Sequence, residues 1–558
     1  MKRYIKYFCS ITAIAAITAT GCKKEFFNRA PVDAVTVDNF YQNSAQVSAS
    51  TNDLYSAVWF GWCGKAGWSI TELMGGNGRS YSSDVANFSD FSVTNTNFEL
   101  GNAWNALYIV VAQSNALINN LPTKAPASVP AAVINNALGE AHLMRALAYF
   151  HLVRTWGPVP IVENAQDYIS QYQLHTNPVA DVYKFIVNDL KFAEANCTKM
   201  VRSGSSLAQG RVSSGSASAL LAKVYLYMQD YTNARAEAEK VISSGEFKLY
   251  GVDVAGKTFN DLYLTANNNN EESIIQLQWA GNGGYGLGNP MQGSFAYNSQ
   301  ITNTGDGYGV LAPSFSLYDE YDPGDTRLYG TIMVPGSKYP QINTAGGGYT
   351  LPLDANSQGT HLQVKKYVVG SPADNGGQGG AQSAANNTYM MRYADVYLIE
   401  AEAVMAGAQT SSDPAALAAI NKIRNRAGLG NLTVIRRSYT VTNPKYTQYG
   451  PTPNASVPAT LIKDDILEER RREFAFEDDF WFDLGRLDGF NSTTHPKAIA
   501  IIKQQDRGTS DNSTPPVRYG NQFAANITDA NFRLPYPATE VASDPNLALP
   551  PVPYTFKN

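Results

Sequence analysis

The side chains best suited to recognition chemistry are aromatic, and they lie in two stretches rich in glycine, asparagine and serine. Trp62, Trp68 and Tyr81 fall in the first, with Asn77 and Arg79 beside them in the segment GGNGRSYSSD. Trp279, Tyr285, Tyr297 and Tyr308 fall in the second, near Gln276, Gln278 and Asn282. The flat C–H faces of a sugar stack on indole and phenol rings, while its rim hydroxyls hydrogen-bond to amides, carboxylates and guanidinium groups. Each stretch supplies both kinds of group, so these seven aromatic side chains, with Asn77 and Arg79, are the candidate ligand contacts. The competing reading of any one of them is the packing of a loop onto the body.

Catalytic machinery is harder to find. The sequence has no HExxH, no GxSxG elbow and no P-loop. Residues 281–286, GNGGYG, satisfy GxGxxG, but Leu-Gly-Asn-Pro follows where a helix is required, so the dinucleotide reading fails. The 48 acidic residues offer many pairs to a glycoside hydrolase, and only separation in space selects among them. Glu477, Asp478, Asp479 and Asp483 read either as a carboxylate site or as a clamp between helices, with buried ion pairs expected. No cofactor is expected. Calcium has weak support from Asp354, Asn356 and Ser357 and from residues 267–272, neither of which completes an EF-hand loop.

These side chains need a large body to hold them. The 558 residues, 44% hydrophobic and 16% charged, suit a globular protein with a substantial core. The net charge of −5 and the lack of a basic block exclude a nucleic-acid footprint. Helical stripes recur: Trp104, Leu107, Val111 and Ile118; Ala137, Ala141, Met144, Ala148 and Leu152; then Ala217, Leu220, Leu221 and Val224 facing Ala234, Ala238 and Val241. Residues 394–405 and 417–423 repeat the pattern, and another helix is expected from Asp38 through Leu54. Helical hairpins of this size, with Ala222, Tyr225 and Ala234 at tetratricopeptide spacing, predict a repeat superhelix. Residues 461–487, LIKDDILEERRREFAFEDDFWFDLGRL, read as one helix through Glu477 followed by an aromatic exit. His142 and His151, nine residues apart on one helix and so not a metal pair at one turn's spacing, suit the core or hydrogen bonds between helices.

At the start of the chain, Lys2, Arg3 and Lys6 precede a short apolar run ending at Gly21-Cys22, the pattern of a signal peptide with a lipobox. Ala19 stands where leucine is commoner. Cys22 is then the expected lipidation site. With Cys9 and Cys22 set aside, Cys63 and Cys197 remain to form one disulfide or none.

The sequence resembles the SusD/RagB family of outer-membrane nutrient-binding lipoproteins. ERRREFAFE running into WFDLGR carries the resemblance, with support from EAHLMRALAYFHLVRTWGPVPIV, RYADVYLIEAEAVM and FRLPYPATEVASDPNL. It implies a mainly α, tetratricopeptide-like fold with a loop-rich region and a few short strands. The expected organisation is a signal peptide (1–21), a tether (22–38), an N-terminal helical part (39–250), a loop-rich ligand-binding region (251–388) and a C-terminal helical part (389–558). It further implies a lipid-anchored protein of the outer membrane, exposed at the cell surface. Such a protein captures a glycan without catalysis and delivers it to a SusC-type TonB-dependent transporter. Peptide or other nutrient binding on the same fold is the alternative, with a glycoside hydrolase less favoured.

Overall fold

A computed structural model describes residues 40–204, 210–449, 457–508, 514–519 and 525–556. The expected lipobox at Cys22 and the tether lie outside these residues.

Seven long helices form the body: α1 (Phe98–Lys124), α2 (Ala131–Trp156), α3 (Val179–Asn196), α4 (Ser214–Tyr227), α5 (Tyr231–Ser244), α6 (Tyr393–Met405) and α7 (Pro414–Arg426). Local chemistry sets their ends. The Asn97 side chain accepts from the Leu100 amide to start α1, and Ser213 and Ser216 form a capping box on α4. Gly157 (φ +76°) before Pro158 stops α2, and Gly245 (φ +70°) stops α5. Helix α2 is buried on nearly all sides from Ala137 to Trp156, as a central helix must be. Each helix packs on the next, and α5 packs directly on α6 although about 150 residues separate them. The result is the expected mainly α repeat body.

Strands among the described residues occur only as antiparallel pairs. The longest, β1 (Ser273–Leu277) with β2 (Thr388–Arg392), brackets the irregular middle region and ties both its ends to the helices. Everything between is short helices, turns and loops, held against the body by its first and last strands.

Two expectations are corrected. The helix drawn from Asp38 to Leu54 is helical only over Ser44–Ala49, followed by 3₁₀ turns. Thr51 and Tyr55 there turn inward, and both hydroxyls donate to Glu140 of α2 at 2.8 Å. The segment 461–487 is not one helix. It comprises a strand (Thr460–Lys463), α8 (Asp465–Phe474) and α9 (Phe480–Gly485). Between α8 and α9, Phe476 (φ +65°) and Asp478 (φ +63°) take left-handed backbone angles. Their amides donate to the buried carboxylate of Glu72 at 2.9 and 3.0 Å, which replaces the helical hydrogen bonds. Ile466, Arg470 and Phe474 keep the buried face, while Glu477 leaves the helix.

The clamp reading of the four acids holds. Glu477 receives Arg392 and Lys366, Asp479 receives Lys223, and Asp483 receives Arg470 and Arg486. Asp478 accepts from Trp62 Nε1 and Thr71 Oγ1, both at 3.1 Å. These pairs fasten α8 and α9 to α4, β2 and the N-terminal segment. His142 hydrogen-bonds Asp189 on α3 and His151 stacks against Trp62, both within the core region. Cys63 and Cys197 are buried free thiols, so the disulfide alternative is not realised.

Candidate functional site

The second aromatic stretch forms an exposed edge. Immediately after β1, Trp279 is locked: its amide donates to Asn387 Oδ1 (3.1 Å) and its indole Nε1 to Thr388 Oγ1 (3.0 Å). The chain then turns back on itself through the Ala280 amide on the Leu287 carbonyl (2.9 Å). Gly284 (φ +77°) and Gly286 (φ +90°) take the left-handed angles this reversal needs and project Tyr285 outward, 71% exposed. GNGGYG is thus a loop that presents a tyrosine. The Tyr285 ring lies 4.9 Å from that of Phe60, which lies 6.4 Å from Trp279, both edge to face.

Hydrogen bonds join this loop to its neighbours. Ser383 Oγ donates to the Gly281 carbonyl (3.3 Å), and the adjacent Gln382 amide donates to Asp306 Oδ2 (2.6 Å). Two residues on, Tyr308 stands 56% exposed, its amide held by the Gly293 carbonyl (2.9 Å). The Gly309 carbonyl accepts from Ser357 Oγ (3.1 Å) and Gln358 Nε2 (2.9 Å), and Gln358 Oε1 accepts from the Tyr81 amide (2.6 Å). Tyr297, half-buried, accepts at its hydroxyl from the Asn356 amide (3.4 Å). The two stretches far apart in sequence are therefore one continuous run of loops, from Tyr285 through Tyr308 and Tyr297 to Tyr81.

The remaining candidates lie beneath it. Trp62 and Trp68 have no exposed surface. They sit in a helical stretch with widened π turns (Trp62–Ala66 and Ser69–Leu73), where Trp62 bonds Asp478 and Trp68 packs on Phe295 at 5.8 Å. Asn77, also fully buried, donates to Glu72 (2.8 Å) and accepts from Arg471 Nε (2.8 Å). Arg79, 3% exposed, lies 4.3 Å under the Tyr81 ring and donates to the Arg507 carbonyl (2.9 Å). Trp279 is 7% exposed. Direct ligand contact by these five is revised to support of the loops, since none offers a free face. Tryptophan is highly buried on average, and its position near glycines does not say whether the ring points in or out.

Burial pushes Glu72 up to about 8, with the Asp478 charge adding to it, and Asp478 up to about 7, with the charges of Asp479 and Glu477 adding to it. Both belong to the clamp. The calcium reading loses residues 267–272: Glu272 is fully buried and holds Arg392 and Arg426, and Asn269 pairs with Gln278. Among the described residues no group of three or more histidine, cysteine and acidic side chains is placed to hold a metal ion. Two contributors to the edge went unnoticed in the sequence: Phe60 and Gln358. Only the position of Phe60 next to Trp59 hinted at it.

The comparisons with known proteins agree with this fold. A family model described as "SusD family" matches residues 271–551, and one described as "Starch-binding associating with outer membrane" matches residues 65–226. A SusD-like protein of Bacteroides ovatus is 31% identical over the full length of both chains. SusD-like protein P2 of Formosa agariphila is 24% identical, over 89% of this chain and 93% of its own. A crystal structure solved with a xylogluco-oligosaccharide superposes with a TM-score of 0.76 at 28% identity, covering 92% of this chain and all of that one. A laminarin-binding SusD-like protein shares the fold with a TM-score of 0.65 at 24% identity, covering 90% of this chain and 98% of its own.

Proposed function

The chain belongs to the SusD/RagB family, and from that premise we propose that it binds a glycan on the loop edge running from Tyr285 to Tyr81, without breaking a bond in it. The observation that carries the reading is the exposure of Tyr285 and Tyr308 on hydrogen-bonded, glycine-turned loops. Two tyrosine rings on one edge offer open apolar faces with polar tips, the surface on which a sugar ring stacks. Tyr285, Tyr308, Tyr297 and Tyr81 are the contacts in this proposal. Trp62, Trp68, Asn77, Arg79 and Trp279 fix the loops that carry them. The oligosaccharide and laminarin named for two similar structures support the ligand class.

In the same proposal Cys22 carries the lipid anchor at the outer membrane and the glycan passes to a SusC-type TonB-dependent transporter. An open edge of separate rings implies weak capture, with dissociation constants from about micromolar to millimolar, roughly −8 to −4 kcal/mol. Weak binding suits a protein that must release its ligand to a partner.

Affinity electrophoresis against a panel of polysaccharides, with peptides in parallel and product analysis of each bound glycan, tests the reading. Retardation by at least one glycan with no new reducing ends is expected. Binding of peptides alone would replace the ligand class, and turnover would replace the non-catalytic role.

A further inference from the structure

A second concavity lies away from the aromatic edge, where the end of α2 meets α3, α9 and the C-terminal loops. Its volume is about 90 Å³, room for several waters. Arg154, Arg486, Arg533 and His495 line it, and no aspartate or glutamate does. We propose that this is a binding site for a small oxyanion, such as the carboxylate of an acidic sugar or an inorganic phosphate or sulfate.

The counter-charges stand behind the wall. Arg486 is gripped from behind by Glu402, at 2.7 Å through both terminal nitrogens, and by Asp483 at 2.9 Å. Arg154 is held flat between the rings of Phe150 (3.8 Å) and Phe482 (4.1 Å), with only 4% of its side chain exposed. Its Nε donates to the Phe150 carbonyl (3.0 Å) and its Nη2 reaches His151 Nδ1 (3.2 Å). Its Nη1 has no hydrogen-bond acceptor, the nearest carboxylate being Asp479 at 3.5 Å. Arg533 crosses Gly157 so closely that a Cβ there would lie 3.2 Å from its Cδ and Nε, which fixes the guanidinium at the rim. There it donates to Asn491 Oδ1 at 2.6 Å.

His495 adds an imidazole held in a fixed position. Its ring stacks on Phe532 at 4.0 Å, which stacks on Trp481 at 4.4 Å, so the imidazole cannot swing away. Its Nδ1 is buried without a hydrogen bond and lies 3.7 Å from Asp529 Oδ1. Three guanidinium groups line a concavity that has no carboxylate among its lining residues. That arrangement fits an acceptor-rich anion better than a neutral molecule, because guanidinium groups bond carboxylate, phosphate and sulfate in fork geometry.

The test is calorimetric titration of the protein with sodium glucuronate, sodium phosphate and sodium sulfate, with glucose and matched sodium chloride as controls. One or more oxyanions are expected to bind saturably in the millimolar range or tighter, and glucose to give nothing at this site. Arg533→Gln, at a partly exposed position, and Arg154→Gln should each weaken that binding by about tenfold or more. Glu239→Gln, at an exposed pair outside the lining of both sites, should leave it unchanged. Glucuronate alone assigns an organic acid and phosphate or sulfate assigns an inorganic ion; either supports the site. Absence of saturable oxyanion binding, or an affinity indifferent to Arg533→Gln, would overturn it. The proposal does not depend on the glycan reading, and that reading survives its failure.

Discussion

Glu473 is the side chain on which the clamp depends most, and its replacement by glutamine isolates the contribution of charge. Its carboxylate receives Arg392 at 2.8 Å, Arg327 at 3.2 Å and Arg426 through a short contact, and all four side chains are at most 1% exposed. These cations, with Arg392 foremost after Arg426, hold its carboxyl well below the usual range despite burial. Glu473→Gln preserves shape but leaves one buried positive charge without its counter-charge. Breaking a buried pair in this way costs about 3–5 kcal/mol. The matched control is Glu239→Gln, which breaks the exposed pair Arg235–Glu239 (2.7 Å) and should cost no more than about 0.5 kcal/mol. With a urea slope of about 3 kcal/mol/M or more, the first variant should lower the unfolding midpoint by about 1 M and the second by a barely measurable amount. The pH dependence follows from the depressed value: the stabilisation is fully present above an unfolded glutamate's value near 4.3 and is lost as pH falls below it. The gap between wild type and Glu473→Gln should therefore persist at pH 7 and narrow in acid. Equal midpoints for the two variants at pH 7 would refute the clamp.

Other outcomes follow from the same geometry. Trp62→Ala should destabilise the fold by about 3–5 kcal/mol, as a cavity-forming core substitution does, visible as a lower melting temperature without any ligand. Tyr285→Ala, which removes a mostly exposed ring, should leave the melting temperature within about 1 °C and weaken glycan binding. Asp478, raised to about 7 by burial first and by Asp479 and Glu477 after it, binds its proton more tightly folded than unfolded. Its contribution to stability therefore declines as pH rises from about 4 towards 7, and Asp478→Asn should flatten that decline in urea titrations. Cys63 and Cys197, buried and with thiols raised by burial, should resist iodoacetamide in the native protein and react in denaturant, as read by peptide mapping.

Much of the fold was legible because its helices are long and periodic. The stripe Ala137, Ala141, Met144, Ala148 and Leu152 lies within α2, and the hairpin across Gln229 and Asp230 is α4 with α5. The break after Phe474 was not legible. It depends on Glu72, about 400 residues earlier, whose carboxylate takes two amides that a continuous helix would have used, and no local pattern encodes such a partner. The site shows the same division. Tyr285 was readable as a loop residue because glycines flank it, and those glycines supply the angles that turn it outward. Trp62 and Trp68 lie beside a similar glycine-rich loop yet point inward, because the widened helical turns carry them against Asp478 and Phe295. Whether an aromatic ring is platform or core depends on neighbours distant in sequence.

The most direct test of the central claim is a crystal structure of the protein soaked with an oligosaccharide from the polysaccharide that retards it. A sugar ring in van der Waals contact with Tyr285 or Tyr308, on the edge that continues to Tyr81, is the predicted result. An ordered oligosaccharide bound elsewhere, with both tyrosines untouched, would contradict it.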